Sequence, residues 1–151
     1  MNLHENKKLF RQAVQTTAQQ KGIPEIYIEK DYWVTHALYT IFTDPLGADA
    51  IFKGGTALSK CYKLIDRFSE DIDLTVLRKD GESDAQMKIK IRELGKVLTA
   101  QLPEVEIGGV TNKKGNIRKT AHTYEKEFQG AYGQIRDVIV LEVTWLGNFE
   151  P

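Results

Sequence analysis

A run of β-branched and apolar residues, Val138-Ile139-Val140-Leu141-Glu142-Val143-Thr144-Trp145, constrains the fold of this chain more than any other feature. Valine and isoleucine favour the pleated backbone, and so continuous an apolar stretch is what a strand buried on both faces requires. A single acid, Glu142, interrupts it. In a central strand a bare carboxylate is costly unless a charge or a metal balances it. On an edge strand with one wet face it is ordinary. The sequence leaves both placements open. Alternation puts Glu142 on the face that also carries Val138, Val140 and Thr144.

The remaining periodicities supply helices and strands to surround that run. Leu3, Phe10, Val14 and Ala18 predict a helix over 3–21, ended by Gly22 and Pro24. A second helix is expected over 26–43. Its apolar set (Ile26, Tyr27, Trp33, Val34, Ala37, Leu38, Ile41, Phe42) is wide enough to call for burial against something larger. Asp44-Pro45-Leu46-Gly47 closes it. Ala50-Ile51-Phe52 reads as a short buried strand that stops at Gly54-Gly55. Residues 56–64 return to helical spacing, with Leu58, Cys61, Tyr62 and Ile65 inward. A strand is expected over 72–77 and a helix over 84–102, the latter with Ile89 or Ile91, Leu94, Val97, Leu98 and Leu102 inward. Weak alternation over 105–110, a turn at 113–116, a strand over 120–128 with Tyr124 and Phe128 on one face, and the strand over 137–145 complete the pattern. This order implies a mixed sheet packed by helices, in the α+β (α/β-like) class.

At 151 residues, 41% hydrophobic and 28% charged, the chain fits one folded domain, with a helical portion over 1–45 and a sheet core over 46–151. Lys plus Arg and Asp plus Glu balance at 21 each. Binding of nucleic acid by bulk charge is therefore not expected, and any such contact needs a local patch. Lys113, Lys114, Arg118 and Lys119 form one, read either as a hairpin tip that touches RNA or triphosphate or as a solvated loop. The lone Cys61 excludes a disulfide framework and reads as a small core residue. His4, His36 and His122 are scattered, and Trp33 and Trp145 read as core. No apolar run approaches the roughly 20 residues that span a bilayer, and the N-terminus lacks the apolar stretch of a secretory signal. A soluble, cytoplasmic protein with no membrane contact is expected.

Three segments break a local rule, which is where function concentrates. Phe52-Lys53-Gly54-Gly55-Thr56 runs a strand into paired glycines and then a helix. Such a bend lets backbone N–H groups approach an anion, with Thr56 adding a hydroxyl; the plain alternative is a tight turn with Thr56 as helix cap. The spacing excludes a Walker A loop. In Ser69-Glu70-Asp71-Ile72-Asp73-Leu74, alternation points Asp71 and Asp73 one way and Ile72 and Leu74 into the core. Neighbouring carboxylates repel unless a cation lies between them, and oxygen-rich sites suit Mg²⁺ or Mn²⁺. The alternative is a solvated strand edge. Glu142 is the third candidate acid. Together, a phosphate turn and three acids make a minimal kit for metal-assisted phosphoryl or nucleotidyl transfer. Lys53 and Arg67 flank it and are suited to neutralising phosphate. Lys30 and Asp31 on the second helix either brace the sheet or face the cleft.

The strings Phe-Lys-Gly-Gly-Thr-Ala-Leu-Ser-Lys at 52–60, Arg-Phe-Ser-Glu-Asp-Ile-Asp-Leu at 67–74 and Glu-Lys-Asp-Tyr-Trp-Val at 29–34 resemble the AbiEii/AbiGii toxin family, within the polymerase-β-like nucleotidyltransferase superfamily. The resemblance implies a polymerase-β-type core and a metal-dependent nucleotidyltransferase that moves a nucleotide from an NTP to an RNA (tRNA) or protein acceptor. It also implies a role in toxin–antitoxin or abortive phage defence, with a cognate antitoxin as partner. It assigns Lys53, Gly54, Gly55, Thr56, Arg67 and Ser69 to the nucleotide, and Asp71, Asp73 and Glu142 to Mg²⁺ or Mn²⁺ and catalysis. Family members continue into a helical half, so the end of this sequence at Pro151 implies a truncated or minimal form. A non-catalytic nucleotide- or partner-binding module and an Mg²⁺-dependent ribonuclease are the competing expectations.

Overall fold

The computed structural model describes residues 2–60, 71–133 and 135–145. The expectations for Cys61, Tyr62, Ile65, Arg67 and Ser69, and for the side chain of Leu58, lie outside the described residues.

The first expected helix divides in two. Leu3–Glu5 forms a 3-10 turn and Lys7–Lys21 forms α1. The break is local capping: the Asn6 side chain accepts a hydrogen bond from the Leu9 N–H, which favours a fresh helix start there. Phe10, Val14 and Ala18 make its buried face, and Gly22 ends it in the left-handed conformation at φ 65°. Helix α2 spans Glu25–Thr43. Val34, Ala37 and Ile41 are fully buried, but Phe42 is exposed. The buried set also takes in Glu29, Lys30, His36 and Thr40, which apolar periodicity passes over.

The strands are β1 (Ala50–Lys53), β2 (Asp71–Val76), β3 (Glu104–Val105), β4 (Ile117–His122) and β5 (Ile139–Trp145). Between them lie α3 (Gly54–Lys60) and α4 (Asp84–Thr99). The sheet order is β1-β2-β5-β4-β3. β2 and β5 are parallel, and the other pairs are antiparallel. The long apolar run is thus the central strand, which settles the open placement of Glu142. Ile139, Leu141 and Val143 point to one face and join Ile72, Leu74 and Val76 in the main core, which α2 and α4 cover. On α4 the inward choice falls on Ile91, while Ile89 is half exposed and Val97 only partly buried. Trp33 and Trp145 belong to this core.

Three strands differ from expectation. The run at 50–52, read as a short buried strand, is β1 at the end of the strand order, with Ile51 48% exposed and Ala50 and Phe52 only partly buried. The strand placed over 120–128 runs instead over Ile117–His122, because its register is set by β5: Ile117 faces Thr144 and His122 faces Ile139. Tyr124 lies beyond its end yet is buried against Trp33. The weak alternation over 105–110 yields only Glu104–Val105. The chain then turns, with the N–H groups of Val110 and Thr111 donating to the Ile107 carbonyl. This turn carries Val110 into a small second cluster with Ala121, Val138 and Val140, on the sheet face away from the helices.

Candidate active site

The face of the sheet not covered by α2 and α4 carries the candidate acids. Along β2 the burial alternates, with Asp71, Asp73 and Thr75 partly exposed and Ile72, Leu74 and Val76 buried. That is the alternation expected of an Asp-x-Asp strand with one apolar face. Because β2 and β5 are parallel neighbours, Asp73 stands directly opposite Glu142, and Asp71 opposite Val140. Residues paired across adjacent strands share a face, so Glu142 and both aspartates point the same way. The row extends outward on both sides: Lys53 of β1 faces Asp73, and Lys119 of β4 faces Glu142. Four strands thus present Lys53, Asp73, Glu142 and Lys119 side by side, two acids flanked by two bases.

The diglycine bend touches this row directly. Gly54 has φ +83°, and a Cβ there would overlap the Asp73 carboxylate oxygen Oδ2 and lie 3.1 Å from Cγ. Glycine is needed here both for its backbone angle and for room. Gly55 lies inside α3. Thr56 does too, so it is not the helix cap. Its side chain is buried, and its hydroxyl has no hydrogen-bond partner among the described residues.

The electrostatics favour a cation. Burial pushes the Asp73 carboxyl above its ordinary range, and the neighbouring Glu142 and Asp71 charges push the same way, against Lys53 and Lys119. Asp71 Oδ1 is buried with no hydrogen-bond partner among the described residues, and its Oδ2 lies 3.7 Å from Arg136 Nη1. An orphaned carboxylate oxygen beside two further acids suits a hard divalent ion. Among the described residues, no group of three or more His, Cys, Asp and Glu side chains is arranged to hold a metal by itself. Mg²⁺ usually takes only one or two carboxylates and completes its shell with water and substrate phosphate. The open acid row fits that habit.

A family model described as nucleotidyl transferase AbiEii toxin of a type IV toxin–antitoxin system matches residues 36–151. The chain belongs to the AbiEii nucleotidyl transferase toxin family. No curated protein matches it. The AbiEii match takes in the bend, the aspartates and Glu142, and begins after the Glu29–Val34 string. The five-stranded mixed sheet packed by helices accords with an AbiEii-type nucleotidyltransferase fold. None of the described helices is long and apolar enough to cross a membrane.

The basic patch divides. Lys113 and Arg118 both reach Glu104, at 2.9 and 3.9 Å, and Arg118 points to the helical side, where its Nε lies 3.2 Å from the Cβ position of Gly95. Of the four bases, Lys119 reaches the acid row. The roles of Lys30 and Asp31 separate. Lys30, 1% exposed, donates from Nζ to the Arg136 carbonyl at 2.7 Å, and Asp31 pairs with Lys60 at the end of α3 at 2.9 Å. Both brace segments that border the site. No local pattern in the sequence singles out Arg136. The available signal was indirect: Lys30 sits on the stripe of Ile26, Trp33, Ala37 and Ile41, where a charge demands a partner. Two cavities of about 440 and 450 Å³ lie on the helical side, share His36 and Gln101, and do not reach the acids.

Proposed function

We propose that this protein is a metal-dependent nucleotidyltransferase that moves a nucleotide from a nucleoside triphosphate to an RNA acceptor such as a tRNA end, or to a protein. In this reading it acts as the toxin of a pair and is restrained by an antitoxin. One observation carries the proposal: Asp71, Asp73 and Glu142 share a face on adjacent parallel strands, against the Gly54 bend. Asp71, Asp73 and Glu142 would hold Mg²⁺ or Mn²⁺, which when bound supplies charge neutralisation at the attacking and leaving oxygens.

The chain's own residues do the rest. Lys53, directly across from Asp73, draws the anionic triphosphate to the row. Gly54 carries no side chain of its own, so the bend lies directly against the Asp73 carboxylate, where a phosphate held through the Asp73-bound cation would meet its backbone. Lys119 keeps Glu142 from facing Asp73 without any compensating charge. Thr56, buried behind the bend, shapes the turn.

The test is incubation with each labelled nucleoside triphosphate, Mg²⁺ and total RNA. Label should pass to RNA or protein with at least one nucleotide. Asp71→Asn should cut transfer by orders of magnitude, because a neutral amide is a poor ligand for a hard cation. No transfer with any nucleotide would overturn the reading. RNA cleavage in the absence of triphosphate would replace it with a nuclease.

A further inference from the structure

Two consecutive charged residues of α2, Glu29 and Lys30, are 0% and 1% exposed. Charged side chains are seldom buried so fully without dedicated partners. Both hold the segment that joins β4 to β5. Glu29 Oε2 accepts from the Glu127 backbone N–H at 2.7 Å, near the start of the segment. Lys30 Nζ donates to the Arg136 carbonyl at 2.7 Å, near its end. Gly130, between these points, packs on Ile26 of the same helix. The segment is therefore seated on α2 at Glu127, Gly130 and Arg136.

Its seating delivers one side chain to the acid row. The Arg136 guanidinium lies 3.7 Å from Asp71 Oδ2, at the end of the sheet where β1 stops and β2 and β5 begin. Its side chain is 47% exposed. A guanidinium carries five donors in a planar fork, and one long contact to a carboxylate occupies little of it. The guanidinium stands on Asp71, two residues along β2 from Asp73, the acid that meets the bend the proposed function assigns to the triphosphate.

We propose that Arg136 is a triphosphate-binding residue of this site and that Lys30 is the positioning residue that holds it there. The inference rests on the nucleotidyltransferase reading. Before substrate arrives, Arg136 compensates the Asp71 charge. When the triphosphate binds, the guanidinium turns its free fork to a phosphate oxygen pair, which it matches better than a single carboxylate oxygen at 3.7 Å. Lys30 fixes the backbone from which that fork projects.

Calorimetric titration of the full chain with ATP, GTP, CTP and UTP, each with Mg²⁺, and with the matching nucleosides, tests this. For whichever triphosphate the wild type binds, Arg136→Gln should weaken binding about ten- to a hundredfold, the range for a lost hydrogen bond to a charged group. Nucleoside affinity should not change, and Arg136→Lys should recover part of the loss. Lys30→Met should weaken triphosphate binding in the wild-type background and add nothing in the Arg136→Gln background, because Lys30 acts on the triphosphate through Arg136. Triphosphate affinity of Arg136→Gln within twofold of wild type would overturn the proposal while leaving the nucleotidyltransferase reading intact. So would an equal loss for nucleoside and triphosphate. Additive losses would remove Lys30 from it, and a wild type that binds no triphosphate would remove both readings together.

Discussion

Gly54 and Asp73 are one feature seen from two sides. The carboxylate occupies the space a Cβ at position 54 would need, and the backbone there adopts a left-handed angle. Gly54→Ala should therefore cost roughly 1–2 kcal/mol from the backbone angle alone, and should displace Asp73 as well. Thermal unfolding and transfer activity should fall together. Asp73 itself should show the reverse relation. Burial and the neighbouring acids raise its pKa, so its favourable contribution to stability is complete below the usual carboxylate range and is lost as pH rises through the raised folded value. Asp73→Asn removes the like-charge pair with Glu142. Without metal it should be more stable than wild type at neutral pH by about 0.2–1 kcal/mol, and urea unfolding at pH 4 and pH 7.5 should show the gain only at the higher pH. Nucleotide transfer by this variant should be nearly abolished. A residue that destabilises the empty fold and is needed for activity is what a cation-binding acid looks like in a stability measurement.

At the level of elements, the displaced strand β4 shows how a partner outweighs local pattern. Thr120 to Phe128 has a reasonable strand composition, but a strand pairs along its neighbour's length, and β5 ends its ladder at Ile139 opposite His122. The placement buries His122 completely. Its Nδ1 donates to the Leu102 carbonyl at 3.0 Å, so Nε2 accepts from the Thr120 hydroxyl at 2.8 Å. The neutral ring satisfies both partners, and burial lowers its pKa. The group is thus at full benefit above the ordinary histidine range, and stability falls as pH drops from about 6.5 toward the lowered folded value. His122→Phe should flatten that acid limb, measured as Tm against pH. It should also cost about 1–3 kcal/mol at pH 7.5, because it leaves Thr120 and Leu102 unpaired. Helix α2 teaches a related lesson. Its apolar members were legible by spacing, but the buried Glu29 and Lys30 were not, since their partners lie on a segment about a hundred residues away, beyond any local window.

For the whole molecule, the sheet order assembles the acid row. Asp71 and Glu142 come together because the chain leaves β2, forms α4, β3 and β4, and returns to insert β5 beside β2 in parallel. If Mg²⁺ and a nucleoside triphosphate bind across that junction, they bind the folded state and not the unfolded one. At a hundredfold excess over Kd the fold should gain about 2.7 kcal/mol. Scanning calorimetry should show a Tm rise with Mg²⁺ and the cognate triphosphate for wild type and none for Asp73→Asn. An equal rise in both would place the binding elsewhere.

The sequence by itself determined which side chains of β2 face the core and which face outward, because a strand alternates with a period of two whatever it pairs with. It also determined the apolar stripes of α1 and α4, and marked the bend at Gly54, the Asp-x-Asp pair and the lone acid in the strongest strand as exceptions to local rules. Only the tertiary structure decided that Glu142 stands opposite Asp73, that Lys119 leaves the basic patch to join the acid row, and that Lys30 holds the backbone of Arg136. Those outcomes depend on register between strands and on contacts across the length of the chain. Periodicity reports a residue's own face, but it carries no information about which neighbour that face will meet.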